Sequence, residues 1–298
     1  MKMLPLLWLT CCLCIGVACS SAQKPQPGTT REFRLPEVSA TLKTPEDRAA
    51  YLALHYWDHF DFNDTSLISR PEITEQAFVN FINILPYTAQ AQQAVDTLVH
   101  RATAKKEMLE HFMELDSKYL FEPNSPMHNE ELHILMLKAL VNNASLTEEE
   151  KSRPRFELEM ALKNRSGDVA ADFTFTGRDG KRKKLSELKA EYVLIYFNDP
   201  ECDDCHRMKE RLSHSAVINQ LLQSGRLKLL SVCVEGKTEG WQTATFPSQW
   251  IDSYDDGQKL TRDRVYDLKA MPTLYLLDAK KRVILKDASF KQIEAQLS

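Results

Sequence analysis

Apolar positions along the chain follow two periods, and the change from one to the other divides it. From Thr44 they recur every three to four residues. Ala49, Leu52, Tyr56, Trp57 and Phe60 share one helical face, and Ile73, Ala77, Phe78, Phe81, Ile82 and Leu85 share the next. Thr44-Pro45-Glu46-Asp47 reads as a helix start, with a capping hydroxyl, a proline in the first turn and acids at the positive end of the dipole. Thr88 to about Leu120 predicts one long helix or two shorter ones. Ser125-Pro126 opens another through Val141, and Thr147-Glu148-Glu149-Glu150 opens a last one reaching Leu162. No fixed-length repeat is present, which argues against a solenoid.

After Ser166-Gly167 the period shortens to two. Phe173 and Phe175 alternate with Asp172, Thr174 and Thr176, and Arg178-Asp179-Gly180-Lys181 supplies a turn. Val193 to Phe197 is a continuous apolar run, as a strand buried on both faces requires. Helices are predicted over Cys205–Ser213, Ala216–Gln223 and Lys259–Leu268, and a strand over Leu227–Val234. Thr273–Leu277 and Val283–Lys286 form a hairpin, and Ser289 caps a final helix. The expected fold is an α-helical N-terminal domain, 45–165, followed by an α/β domain, 166–298, with a mixed central sheet flanked by helices.

The first residues read as an address. Lys2 precedes a largely apolar stretch from Leu4 to Ala18, too short to span a bilayer and suited to a signal peptide, 1–18. Gly16-Val17-Ala18-Cys19 resembles the bacterial lipobox, which makes Cys19 the acylated first residue; plain cleavage after Ala18 is the alternative. Pro25, Pro27, Gly28 and Pro36 with scattered Ser, Thr and Gln make 19–44 a flexible tether. Alternation of Phe33 and Leu35, with Val38 nearby, allows a short edge strand there instead.

Composition removes other classes. A net charge of −4 without a long basic run argues against a nucleic-acid binder. Six of the eight histidines fall in the helical half, but His55 and His59 lack a third ligand at a telling spacing, so no metal is expected. Tyr51, Tyr56, Trp57, Phe60 and Phe62 read as core.

The chemistry lies in Cys202-Asp203-Asp204-Cys205, placed after a predicted strand and at a helix start. A disulfide closing so small a ring adds little chain-entropy stabilisation, whereas a helix N-terminus favours the thiolate that attacks disulfides. A structural zinc site would need a second cysteine pair, and a vestigial pair is the third reading. Cys233, in an apolar strand, reads as a buried inert thiol.

These residues, with Gly167-Asp168, Asp172-Phe173, Leu185-Ser186-Glu187-Leu188, the Val193–Phe197 strand and Met271-Pro272-Thr273, resemble the TlpA/ResA branch of thioredoxin-like proteins over about 166–298. Residues 45–165 resemble the helical region of unassigned function that precedes such domains in some envelope lipoproteins. The resemblance implies that Cys202 attacks, that Cys205 resolves, and that Pro272 is cis. It further implies that the backbone around Met271 and Thr273 binds an incoming peptide.

Two family features are absent. The usual Trp before the first cysteine is Glu201, and the acid that thioredoxins bury six residues before it is Tyr196. Glu235, just past the Leu227–Val234 strand, is then the candidate proton acceptor. Asp203, Asp204 and Glu201 put negative charge beside the thiols, which favours the reductase or isomerase direction over the oxidase. The expectation is a lipid-anchored thiol–disulfide oxidoreductase of the bacterial cell envelope, facing the periplasm or exterior, without a cofactor. Its expected partners are envelope proteins bearing thiols or disulfides, and an upstream electron donor. The alternative is a redox-inactive thioredoxin-fold scaffold that binds peptides.

Overall fold

The computed structural model describes residues 32–122 and 125–298. The expected signal peptide, Cys19 and the first part of the expected tether lie outside the described residues. Among the described residues no helix is long and apolar enough to cross a membrane.

The helical half contains α1 (Pro45–His55), α2 (Thr74–Ile84), α3 (Ala91–Ala102), α4 (Lys106–Asp116), α5 (Glu130–Asn142) and α6 (Glu148–Ala161), with a π turn at Ser117–Phe121. Its caps are the predicted ones where a hydroxyl stood free. Thr44 accepts from the amide of Asp47, and Thr147 forms a reciprocal box with Glu150. The Ser125 start is corrected. Its hydroxyl donates to the carbonyl of Tyr119 at 2.7 Å, so 125–128 is a turn and α5 begins beyond the cap Asn129.

Trp57, 2% exposed, centres the core. Its ring meets those of Phe60, Phe81 and Phe112 edge-on at 5.2 to 5.5 Å; pairs of this kind contribute about 0.5–1.5 kcal/mol each beyond area burial. The strand allowed at 33–38 does not form. Phe33 instead packs on Tyr56 and Trp57, at 5.0 and 5.4 Å, and Pro36 is buried, so this part of the tether is docked on the helices.

The second half contains β1 (Thr174–Gly177), β2 (Arg182–Lys184), β3 (Tyr192–Asn198), α7 (Asp203–His214), α8 (Ala216–Gln223), β4 (Leu227–Cys233), α9 (Glu239–Thr243), β5 (Ile251–Tyr254), α10 (Lys259–Arg262), β6 (Thr273–Asp278), β7 (Val283–Leu285) and α11 (Phe290–Leu297). The strands form one mixed sheet in the order β2-β1-β5-β4-β3-β6-β7. β3 runs parallel to β4 and antiparallel to β6. The period of two sorts β3 between layers: Val193, Ile195 and Phe197 face one core, Leu194 and Tyr196 the other, where α7, α8 and α11 pack through Leu212, Ile218 and Ile293. The predicted Lys259–Leu268 helix is corrected to the single turn α10, because Arg264 adopts a left-handed φ of 50° that a helix cannot continue through.

The halves meet along the segment that leads from α10 to β6. Asn164 donates to the carbonyl of Val265 at 2.9 Å and accepts from the amide of Ala171 at 2.8 Å. Lys269 lies 4.4 Å from the Phe121 ring centre, and Arg264 covers Phe156 at 4.8 Å. Lys286, only 4% exposed at its side chain, pairs with Glu130 at 2.9 Å and donates to the carbonyl of Ala161 at 2.8 Å. A buried pair broken on one side costs about 3–5 kcal/mol, because the remaining charge stays desolvated. Lys286→Met should therefore lower the free energy of denaturant unfolding by about 3 kcal/mol, and adding Glu130→Gln should recover part of that loss.

Candidate active site

β3 ends at Asn198, whose side-chain amide donates to Ser231 Oγ at 2.9 Å and to the Val232 carbonyl at 3.2 Å, tying the strand end to β4. The chain then turns through Asp199-Pro200-Glu201. Asp199 Oδ1 accepts from the amide of Glu201 at 2.9 Å, and the Asp199 carbonyl accepts from the amide of Cys202 at 3.1 Å. This delivers Cys202 to the N-cap of α7. There its sulfur accepts from the amide of Cys205 at 3.4 Å, the bond a capping oxygen would ordinarily make.

Both cysteines are thiols here, Cys202 half-buried and Cys205 buried. The Cys205 thiol is raised to about 12, chiefly by burial, with the Asp199 amide lowering it and the neighbouring Cys202 sulfur and Asp199 charge adding to the rise. That amide donates to Cys205 Sγ at 3.5 Å. Tyr196, in the position of the expected acid, donates its hydroxyl to the Cys205 carbonyl at 2.7 Å. Burial also raises the Tyr196 phenol, so it stays neutral. Asp203 and Asp204 lie in the first turn of α7, where Asp204 pairs with Arg207.

The Met271–Pro272 bond is cis, and the Met271 carbonyl lies 3.7 Å from Cys202 Sγ. Four predicted residues thus converge: Cys202, Cys205, Met271 and Pro272. Thr273 lies next in the chain, at the start of β6. It is 1% exposed, and its hydroxyl donates to the carbonyl of Ala270 at 2.6 Å. Glu235 is placed just past the end of β4. It is exposed, its carboxylate accepts from Gln258 at 3.3 Å, and it acts on Cys233; the carboxylate acting on Cys205 is Asp199.

Sequence reasoning missed three parts. Asp199, a lone polar residue after a strand, carries no periodic signal. β5 hides in Ile-Asp-Ser-Tyr, where the buried Ser253 hydroxyl donates to the Ser231 carbonyl at 2.7 Å. Arg178 was read only as part of a turn. It pairs with Asp252, donates to the carbonyls of Trp241, Gln242 and Ala244, and covers the Trp241 ring at 4.6 Å. That anchors the 239–252 segment, whose Phe246 and Trp250 pack in the same cluster as Cys202. Glu201, in place of the usual Trp, lies against Gly240, where an added Cβ would come within 3.1 Å of its Cγ. Cys233 is fully buried, and burial raises it to about 11. Among the described residues no three His, Cys, Asp or Glu side chains gather as a metal site would require.

A family model described as a domain of unknown function, DUF5106, matches residues 17–164. A crystal structure of a thioredoxin-like protein from Bacteroides caccae is 40% identical, covering 90% of this chain and 99% of that one, with a TM-score of 0.81. The C-terminal domain of an uncharacterized protein from Bacteroides fragilis is 38% identical over 46% of this chain and 99% of its own, with a TM-score of 0.44. Among curated proteins nothing matches.

The unequal exposure of the thiols has a measurable consequence. In the native reduced protein at pH 8, iodoacetamide should modify Cys202 ahead of Cys205 and Cys233, as read by peptide mass spectrometry. The two buried thiols are held above their ordinary value near 9, so their contribution to stability is full below pH 9. It should fall as the pH rises towards 11 and 12, where the unfolded chain ionises before the folded one. Cys205→Ser should lose less stability over that range in alkaline denaturation curves.

Proposed function

The chain belongs to the same family as the thioredoxin-like protein of Bacteroides caccae, and on that footing we propose that it is an extracytoplasmic thiol–disulfide oxidoreductase acting on protein substrates through Cys202 and Cys205. The observation that carries this reading is the position of the Cys202 sulfur. It is half-buried at a helix N-cap, with the amide of Cys205 directed at it and the Met271 carbonyl 3.7 Å away. Structural stabilisation needs none of these three features together; nucleophilic attack on a disulfide uses all of them.

In this reading the Cys202 thiolate attacks a client disulfide and releases one client thiol. The mixed disulfide that results is displaced by Cys205, leaving an oxidised pair and a reduced client. The main chain at Met271 lies beside the client strand during attack. Electrons return from an external dithiol donor. The acids flanking the thiols support the reducing or isomerising direction. The N-terminal segment, with acylation of Cys19, would hold the protein at the bacterial envelope.

One observation favours the scaffold reading: Tyr196 stands where thioredoxins keep an acid, and it is hydrogen-bonded to the main chain of Cys205. Insulin reduction with a dithiol donor separates the two. The wild-type protein should accelerate precipitation of the insulin B chain, and Cys202→Ser should fall to the rate of the donor alone. Equal rates would leave the scaffold. Cys205→Ser should trap the mixed disulfide. The reduction potential should lie well below that of a strong oxidant, about −120 mV, and a value near that figure would reverse the assigned direction.

A further inference from the structure

Between α10 and β6 the chain has no ladder, yet this stretch carries the main chain that faces Cys202. Both of its ends are fixed within the second half. Tyr266 is buried, its ring 5.0 and 5.1 Å from those of Phe197 and Tyr275 and its hydroxyl on the Ala171 carbonyl. Where β6 begins, the Thr273 hydroxyl holds the Ala270 carbonyl. Between these points the hold on the chain comes from Lys269.

Lys269 stands two residues before Met271. Its side chain is only 23% exposed, although Ala270 is exposed and Met271 half-buried. The main chain thus runs along the open surface beside the thiols, while the Lys269 side chain turns into the seam. There its ammonium pairs with Asp267 at 3.5 Å and lies 4.4 Å from the centre of the Phe121 ring. Phe121 ends the π turn that follows α4, and its ring packs on that of His133 with centres 4.9 Å apart. His133 is buried and bonded through Nδ1 to buried Asp116 at 2.7 Å, so the ring has a fixed backing. A cation over an aromatic face gains most where water is largely excluded. This contact lies nearer Met271 in sequence than the Asn164–Val265 and Phe156–Arg264 contacts do.

We propose that Phe121, acting through Lys269, positions the Met271 main chain for an incoming peptide, so that the helical half sets the affinity for peptide disulfides. The inference rests on the reading of Cys202 and Met271 as the exchange site. Phe121 reaches that site only through Lys269 and is a positioning residue. Its role implies a distinction between substrates. A client strand has to lie against the main chain at Met271, whereas a small aromatic disulfide needs only the Cys202 sulfur. Loss of the ring weakens exchange with the first and leaves the second alone.

The test measures two reactions of the full-length protein. One is steady-state reduction of a disulfide-bonded peptide with a dithiol donor; the other is exchange of the reduced protein with dithionitrobenzoate, followed by absorbance. Phe121→Leu keeps apolar bulk but removes the aromatic face. It should raise the peptide KM about fivefold, with kcat and the dithionitrobenzoate rate unchanged. Phe121→Tyr keeps the ring and should restore the wild-type KM. Lys269→Met removes the cation from the other side of the contact and should raise KM in the same way; it carries the comparison if Phe121→Leu does not fold. A peptide KM that neither substitution moves, or equal slowing towards both disulfides, overturns the proposal. A wild-type protein that exchanges with neither disulfide overturns the oxidoreductase reading itself, and this proposal with it.

Discussion

Strand register is the constraint on which the site depends. β3 lies between β4 and β6, with Phe197 opposite Thr273 and Asn198 opposite Cys233. The first pairing ends beside Pro272 and brings the Met271 carbonyl to the cysteines. The second anchors the point from which the chain turns towards α7. Both faces of β3 are buried, so a slip of one residue would exchange Ile195 and Phe197 with Tyr196 and its layer. It would also carry Cys202 about 3.3 Å from the carbonyl it faces. The apolar alternation that packs the sheet therefore also sets the geometry of the sulfur chemistry.

The two sulfurs are differentiated chiefly by burial, although they are neighbours on one helix turn. Cys202 caps α7 at the surface, and Cys205 points inward among Leu194, Tyr196 and Leu212. The interior resists charge, so Cys205 stays protonated, while Cys202 is partly open to solvent. Asp199 modifies this division: its amide favours the Cys205 thiolate and its carboxylate opposes it. In a low-dielectric site such a balance responds to small displacements of one loop. The Asn198 amide and the turn closed by Asp199 hold that loop still.

Most of the frame was legible because it rests on periodicity. The continuous run Val193–Phe197, the capping residues Thr44, Thr147 and Ser289, and the cysteine spacing all translate directly into local structure. What stayed hidden depends on partners distant in sequence. Ile251–Tyr254 becomes a strand because β4 and β1 flank it, not because its residues prefer one. Ser125 looked like a cap until the Tyr119 carbonyl claimed its hydroxyl. Glu235 looked close to the thiols from its place after β4. Gly236, at a φ of 87°, turns the chain so that Glu235 meets Gln258 instead. Asp199 was missed for the converse reason, since its role arises from a turn rather than a pattern.

The helical half bears on the site through one segment. Residues 264–269 run along the seam between the halves and continue into Ala270, Met271 and Pro272. Asn164 holds the Val265 carbonyl, Phe156 and Phe121 lie under Arg264 and Lys269, and Tyr266 donates to the Ala171 carbonyl at 2.7 Å. The single helical turn before this segment and the left-handed Arg264 leave it without a ladder of its own. Its position is therefore set by these tertiary contacts, several of them made by the first half of the chain. The Met271 carbonyl that faces Cys202 is the end point of that support. The helices and the cysteine pair are in this sense parts of one mechanical path, joined where a stretch of backbone without a ladder of its own runs along the seam between the halves.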